Sequence, residues 1–257
     1  MAAPASGSPF DPSGVIRLPR HARGRLAANE STNWFGYSEG SLANGGTLFS
    51  SITATWTVPK ARQHARNEAE HSATWIGIGG GCIDGRCSLT DPTGLIQTGT
   101  EQDVAASGRA SYSAWWELVP APAVTISNMK IKPGNRISAS VSEVAPTLWR
   151  VTLSDLSRHE TFTTTTLYPS SRATAEWIEE TPVTIGTDGT GVATLPSLTR
   201  APFDDATVNA HAAQLTAEEE IRLTGNSGVI GTPSAPDSRG DGFGACAWAS
   251  RCRVPRS

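Results

Sequence analysis

The chain has 257 residues, a length that suits one large all-β domain or two small ones. Its formal charge of −3 gives no reason to expect binding to nucleic acid or to an anionic membrane, and no apolar run is long enough to cross a bilayer. A hydrophobic content of 38%, with abundant glycine, serine and threonine, indicates a globular chain rich in strands. We expect a soluble monomer with a single folded domain.

The first thirty positions differ from the rest of the chain. Residues 11–30 carry several arginines without any periodicity, and the stretch MAAPASGSPF before them lacks the apolar core of a signal peptide. We therefore predict a flexible basic leader or propeptide remnant at residues 1–30, followed by one domain at residues 31–257.

Alternation of apolar and polar residues begins at residue 49. Apolar side chains at positions 52, 54, 56 and 58 alternate with threonines until Pro59 ends the stretch. Such a period of two predicts a strand with one buried face. The same pattern recurs in YSAWWELV (112–119), RISASVSEV (136–144) and LWRVTL (148–153). Short strands separated by turn signals predict an all-β sandwich of antiparallel sheets.

One segment has helical composition. Residues 204–220, DDATVNAHAAQLTAEEE, are rich in alanine, leucine and glutamate, which favour helices. Thr207, Val208 and Asn209 within the same segment do not favour them. We expect at most one short helix in the chain.

The four cysteines form two local pairs, Cys82 with Cys87 in CIDGRC and Cys246 with Cys252 in CAWASRC. The Asp84-Gly85 turn would let the chain double back between the first two. A zinc site is the alternative, although neither pair has the CxxC spacing and no histidine is close. Two local disulfides, which form outside the cytoplasm, would indicate a secreted protein.

Two polar side chains stand among apolar neighbours in short strand-like stretches. Gln97 lies in TGLIQTG (93–99), and Glu176 lies between an alanine and a tryptophan in TAEWIEE (174–180). Each is costly to bury without a partner. They mark either a functional site or two structural groups, with Gln97 capping a strand and Glu176 paired with an arginine such as Arg172.

Seven motifs follow one another from residue 33 onward: NWFGY, ITATWTVP, TWIGIGG, LIQTG, YSAWWELVP, AEWIEE and VIGTPS. Together they resemble the glutamic peptidases, or eqolisins, which are acid endopeptidases best known from fungi. The resemblance implies a lectin-like jelly roll, a sandwich of two bent antiparallel sheets with a catalytic glutamine and glutamate on one concave face. It places the glutamine of the QTG motif at Gln97 and the glutamate of the AEW motif at Glu176.

The resemblance also implies substrate-binding positions. Trp75 and Trp116 match aromatic residues near the substrate, with packing in the core as the alternative for both. Glu101 stands where members of the family carry an aspartate; it either tunes the acidity of the site or simply lies in a strand. Gly79 departs from the family, because an acidic residue of the GIDG motif is missing there.

The chemistry of the two side chains fits peptide hydrolysis. An ionised Glu176 can take a proton from water, while Gln97 can donate an N–H to the developing oxyanion and aim the water with its carbonyl oxygen. At the reference glutamate pKa of about 4.3 the base stays partly ionised in acid. We expect protein or peptide substrates and no metal or organic cofactor. The rival functions are a lectin-like carbohydrate binder and a glycosidase with Glu117 as its second acid.

Overall fold

A computed structural model describes residues 29–255 of the chain, apart from residues 86, 92–93, 187–188 and 227. The leader predicted for residues 1–30 therefore lies outside the described residues except at positions 29 and 30. In the described part, no helix is long and apolar enough to cross a membrane.

Twenty strands and one turn of 3-10 helix (Ala217–Glu219) make up the regular structure of the described residues. The strands are β1 (Asn29–Ser31), β2 (Trp34–Gly40), β3 (Ser51–Thr57), β4 (Ala61–Arg62), β5 (Ala73–Ile78), β6 (Ile96–Val104), β7 (Ala110–Leu118), β8 (Val124–Thr125), β9 (Arg136–Ala145), β10 (Leu148–Asp155), β11 (Glu160–Leu167), β12 (Thr174–Glu180), β13 (Val183–Gly186), β14 (Gly189–Val192), β15 (Ser197–Leu198), β16 (Ala201–Val208), β17 (His211–Ala212), β18 (Glu220–Gly225), β19 (Gly228–Pro233) and β20 (Phe243–Ala247).

Sixteen of these strands form one hydrogen-bonded sheet, and fourteen of them follow a single path. Its order is β11-β10-β9-β3-β16-β20-β19-β18-β2-β12-β5-β6-β7-β8, with β1 beside β18 and β17 beside β16. The pairing of β1 with β18 is parallel, and the pairings along the path are antiparallel. The path folds back on itself, so that β3, β9 and β10 lie against β5 and β6. The predicted sandwich of two bent antiparallel layers is confirmed.

Alternating side chains build the core between the layers. In β3, Ile52, Ala54 and Trp56 are buried, while the intervening residues are only partly buried. Trp177 of β12 and Trp149 of β10 are also fully buried in this core. Burial of each large apolar side chain contributes about 1.5–3 kcal/mol, so the alternation that defines the strands also determines which face of each strand is buried.

The layer that contains β2, β5 and β7 is covered on its other face as well. A second, smaller cluster there contains Trp34, Trp75, Trp115 and Leu95 together with the Cys82–Cys87 disulfide. A second disulfide joins Cys246 to Cys252, and among the described residues no cysteine is free to ligate zinc.

The segment with helical composition contains strands, turns and irregular structure instead of an α-helix. Residues 204–220 contain the end of β16, all of β17 and the single 3-10 turn. Thr207 and Val208 pair with β3, which suits their β-branched side chains. Asn209 and Ala210 then take positive φ values of 48° and 64°, which turn the chain into β17 and end any helix.

Candidate active site

Five residues from five neighbouring strands form one row across the sheet. Ser38 of β2 lies opposite Glu176, Glu176 lies opposite Gly77, Gly77 lies opposite Gln97, and Gln97 lies opposite Glu117. Directly opposite residues of antiparallel strands share a face of the sheet. We call these five residues the polar row and the side of the sheet that carries them the row face. The sheet register thus brings Gln97 and Glu176 to one face.

Gly77 separates the two predicted catalytic residues. Because adjacent strands are about 4.8 Å apart, the backbones of Gln97 and Glu176 are roughly 10 Å apart. A Cβ atom at position 77 would lie 2.6 Å from Leu95 Cδ1 and 3.1 Å from Gln97 Cβ. The glycine therefore keeps a side chain out of the interval between the amide and the carboxyl group.

Glu176 is fully buried within the polar row. The hydroxyl of Ser38 donates to its Oε1 over 3.4 Å. Burial raises the pKa of Glu176 well above its usual range, by more than the hydroxyls of Thr174 and Ser38 lower it. In this arrangement the carboxyl group keeps its proton in acid, which differs from the partly ionised base expected from the reference value.

Gln97 is held by its neighbour in the polar row. It is only 2% exposed, and its Nε2–H donates to Glu117 Oε2 over 2.6 Å. Its carbonyl Oε1 is buried and has no hydrogen-bond partner among the described residues. Since a primary amide has two N–H groups and one carbonyl oxygen, one N–H and the carbonyl remain available for chemistry.

Glu117 is a buried carboxyl group at the end of the polar row. Burial raises its pKa to about 8, while the hydrogen bond from Gln97 acts in the opposite direction and the charge of Glu180 adds to the rise. No cation pairs with Glu117 among the described ion pairs. The local sequence gave no indication of its bond to Gln97, because the two residues meet only through the register of β6 and β7.

Trp75 lies on the row face, two residues from Gly77 on β5. It is fully buried, its Nε1–H donates to Glu180 Oε2 over 2.8 Å, and its ring packs edge-on against Trp34 at 5.1 Å. Asn33 donates to the other oxygen of Glu180 over 3.2 Å. Glu180 was not among the residues predicted for the site; its burial raises its pKa to about 7.

The structure does not bring Trp116 to the row face. It lies opposite Thr98 and packs against the main core, because side chains of β7 alternate between the two faces. Its neighbour Trp115 lies on the row face, opposite Gly99. Strand alternation counted from Glu117 would have selected Trp115, two residues away, as the tryptophan on this side.

Glu101 shares the row face with Gln97 but lies four residues further along β6. At about 3.3 Å per residue this is roughly 13 Å from Gln97, too far for direct contact with the reacting atoms. Ser113 donates to Glu101 Oε2 over 2.6 Å. Burial raises the pKa of Glu101, and the charge of nearby Asp103 adds to the rise.

A disulfide-bonded segment lies over the polar row. The described residues between positions 79 and 95, which exclude 86, 92 and 93 and which we call the cover loop, connect β5 to β6 and contain the Cys82–Cys87 bond. The Gly81 N–H donates to Thr174 Oγ1 over 3.1 Å, and a Cβ at Gly81 would collide with Glu176 Oε1. The cover loop therefore closes off Glu176 from substrate in this arrangement.

A cluster of acidic side chains lies elsewhere in the molecule. Asp204, Asp237 and Asp241 come close enough together to hold a metal ion. Arg239 already lies against all three carboxylates, at 2.5, 3.6 and 3.2 Å respectively. This guanidinium already pairs with all three carboxylates and offsets part of their charge, and we assign no metal to the cluster.

Comparisons with known proteins identify the family and the fold of the chain. Residues 32–235 match the model of the peptidase A4 family. The crystal structure of scytalido-glutamic peptidase with a transition state analog inhibitor has a TM-score of 0.66 and 21% identity, covering 84% of this chain and 98% of that one.

Two further solved structures share the fold. SCP-B, a member of the eqolisin family in a complex with the tripeptide Ala-Ile-His, has a TM-score of 0.62 and 20% identity, covering 84% of this chain and 98% of its own. Aspergilloglutamic peptidase from Aspergillus niger has a TM-score of 0.54 and 21% identity, covering 69% of this chain and 99% of its own. No curated protein sequence matches the chain significantly.

Proposed function

The chain belongs to the peptidase A4 family, and from this premise we propose that it cuts peptide bonds with Glu176 as general base and Gln97 as oxyanion stabiliser. The observation that carries the proposal is the polar row, in which both side chains occupy one face on either side of Gly77. A water and a peptide carbonyl in that interval would meet both groups.

Substrate entry requires the cover loop to move away from Glu176. The Gly81 backbone lies against the carboxyl group, so no peptide can reach it while the loop is closed. Opening hydrates Glu176 and removes much of the desolvation that raises its pKa. The pKa then falls toward the usual glutamate value of about 4.3, so a fraction of the opened enzyme is ionised in acid.

The hydrolytic step uses one carboxylate and one amide. Ionised Glu176 removes a proton from the water as its oxygen attacks the carbonyl carbon, and the free N–H of Gln97 donates to the oxygen that becomes negative. The protonated Glu176 then gives its proton to the departing amine as the carbon–nitrogen bond breaks. Proton and charge balance over the two steps without a covalent intermediate.

The wider biology of the chain follows from the same proposal. The family match covers residues 32–235, which supports a peptidase domain within residues 31–257; residues 1–30 stay a predicted basic leader or propeptide remnant. Two disulfides support secretion, since such bonds persist in oxidising compartments. The enzyme acts as a monomer on protein or peptide substrates.

Digestion of a denatured protein at about pH 4, near the reference glutamate pKa, tests the proposal in the presence of pepstatin. The wild type is compared with Glu176→Gln and with Glu179→Gln. The second variant is a matched control, because Glu179 lies on the same strand but faces the core. We expect cleavage by the wild type and the control and none by Glu176→Gln.

Two results would contradict the proposal. Equal cleavage by all three proteins would remove Glu176 from the reaction. Absence of cleavage by a folded wild type, together with retention on a glycan column, would favour the lectin-like binder instead.

A further inference from the structure

We propose that Glu117 is a positioning residue that fixes the orientation of the Gln97 amide. By accepting one N–H of Gln97, it leaves the second N–H and the carbonyl oxygen for the oxyanion and the water. This inference rests on the proposed catalytic function of Gln97 and adds a residue to it.

The contact is short and enclosed. Gln97 and Glu117 are directly opposite in β6 and β7, their nitrogen and oxygen are 2.6 Å apart, and they are 2% and 0% exposed. Among the described side chains, Glu117 alone forms a hydrogen bond with Gln97. The sheet register sets this pairing, so it does not depend on a mobile loop.

A glutamine amide needs such a partner to be selective. Its terminal torsion is broad and roughly two-fold, so an unrestrained amide exchanges the positions of its NH2 and its oxygen. The exchanged amide would present the wrong atoms to the oxyanion and the water. An oxygen acceptor beside the amide favours the orientation with nitrogen toward Glu117. A carboxyl group has an acceptor oxygen whether it is ionised or protonated, so the hydrogen bond from Gln97 can form in acid as well.

The burial of Glu117 is itself an argument for this role. A buried carboxyl group without a cation is costly, and an apolar side chain would fill the same space more cheaply. Glu117 is fully buried and lies three strands away from Glu176, with Gln97 between it and the interval at Gly77. Its position thus fits action through the Gln97 amide.

A set of four variants tests the inference by the kcat and KM for a peptide substrate. Glu117→Gln retains a carbonyl acceptor of the same shape, so we expect kcat within about threefold of wild type. Glu117→Leu removes the acceptor, and we expect kcat to fall by roughly tenfold to a hundredfold with KM little changed, as for a misplaced oxyanion donor. When Glu117→Leu is added to Gln97→Ala, the kcat of the double variant should differ from that of Gln97→Ala by less than about twofold.

The outcomes separate this inference from the proposed function. The inference on Glu117 is overturned if Glu117→Leu has the kcat of wild type, or if Glu117→Gln and Glu117→Leu lose kcat equally. It is also overturned if the double variant loses much more kcat than Gln97→Ala. Full activity in Gln97→Ala would instead overturn the proposed function. If Glu117→Leu does not fold, Glu117→Met takes its place.

The hydrogen bond between Gln97 and Glu117 can also be tested in the wild type, by the nuclear magnetic resonance spectrum of the Gln97 side-chain amide. In the wild type, the proton bonded to Glu117 should resonate well downfield of its partner. Two amide protons at the positions of free glutamine would overturn the inference.

Discussion

The substitution Glu179→Gln removes an ionisable group from the core of the sandwich. Glu179 is fully buried on the face of β12 opposite the polar row, and Thr74 donates its hydroxyl hydrogen to Glu179 Oε2 over 2.6 Å. Burial raises its pKa from 4.5 to about 8, while the bond from Thr74 acts in the opposite direction and Glu180 adds to the rise. The folded chain therefore keeps a proton that the unfolded chain loses in mild acid.

The sign of the pH effect follows from this difference. Between the pKa of the unfolded chain, near 4.5, and that of the folded chain, about 8, the unfolded state binds fewer protons. The free energy of unfolding consequently falls as pH rises, by about 1.4 kcal/mol per pH unit for this group. From pH 5 to pH 7 the loss is about 3 kcal/mol. Glu39, Glu117 and Glu180, whose pKa values burial also raises, act in the same direction.

Glutamine at position 179 keeps an acceptor for Thr74 but has no proton to lose. We expect Glu179→Gln to be more stable than wild type by about 3 kcal/mol at pH 7 and nearly unchanged at pH 4. Urea unfolding curves at several pH values measure the difference. Glu218→Gln, at an exposed position, is the control and should leave the pH dependence as it is. A stability difference that is the same at pH 4 and pH 7 would refute the reasoning.

Two substitutions in the polar row have expected effects on activity. Gly77→Ala places a Cβ 2.6 Å from Leu95 Cδ1 and should disturb Gln97. We expect kcat/KM to fall at least about tenfold while the circular dichroism spectrum stays unchanged. Wild-type kinetics in this variant would contradict the expectation. Ser38→Ala removes a hydroxyl that lowers the pKa of Glu176. The acid limb of the pH profile of kcat/KM should therefore move to higher pH. A limb that stays in place or moves to lower pH would count against Glu176 as the base.

Local pattern predicted the strands. Alternation around Trp56 predicted strands because each strand buries one face. The composition of residues 204–220 was less informative, since pairing of Thr207 and Val208 with β3 outweighs the helix propensity of their neighbours. The structure of that segment is determined by pairing with a distant strand, which the composition of a short segment does not show.

The site was predictable only in part. The motifs selected Gln97 and Glu176, but Ser38 is 138 residues away from the carboxyl group to which it donates. The adjacent tryptophans at positions 115 and 116 could be assigned to faces only once the register of β7 was known. The raised pKa of Glu176 in the closed arrangement was not predictable from the reference value, because the sequence does not show the cover loop burying Glu176.

The most direct test of the central claim compares kcat/KM for Gln97→Ala, Glu176→Gln and the variant that carries both substitutions. If two residues act together on one water, removing either one already removes the joint effect. The kcat/KM of the double variant should therefore be no lower than that of the less active single variant. Losses that multiply in the double variant, or a single variant with wild-type activity, would contradict a joint action of Gln97 and Glu176.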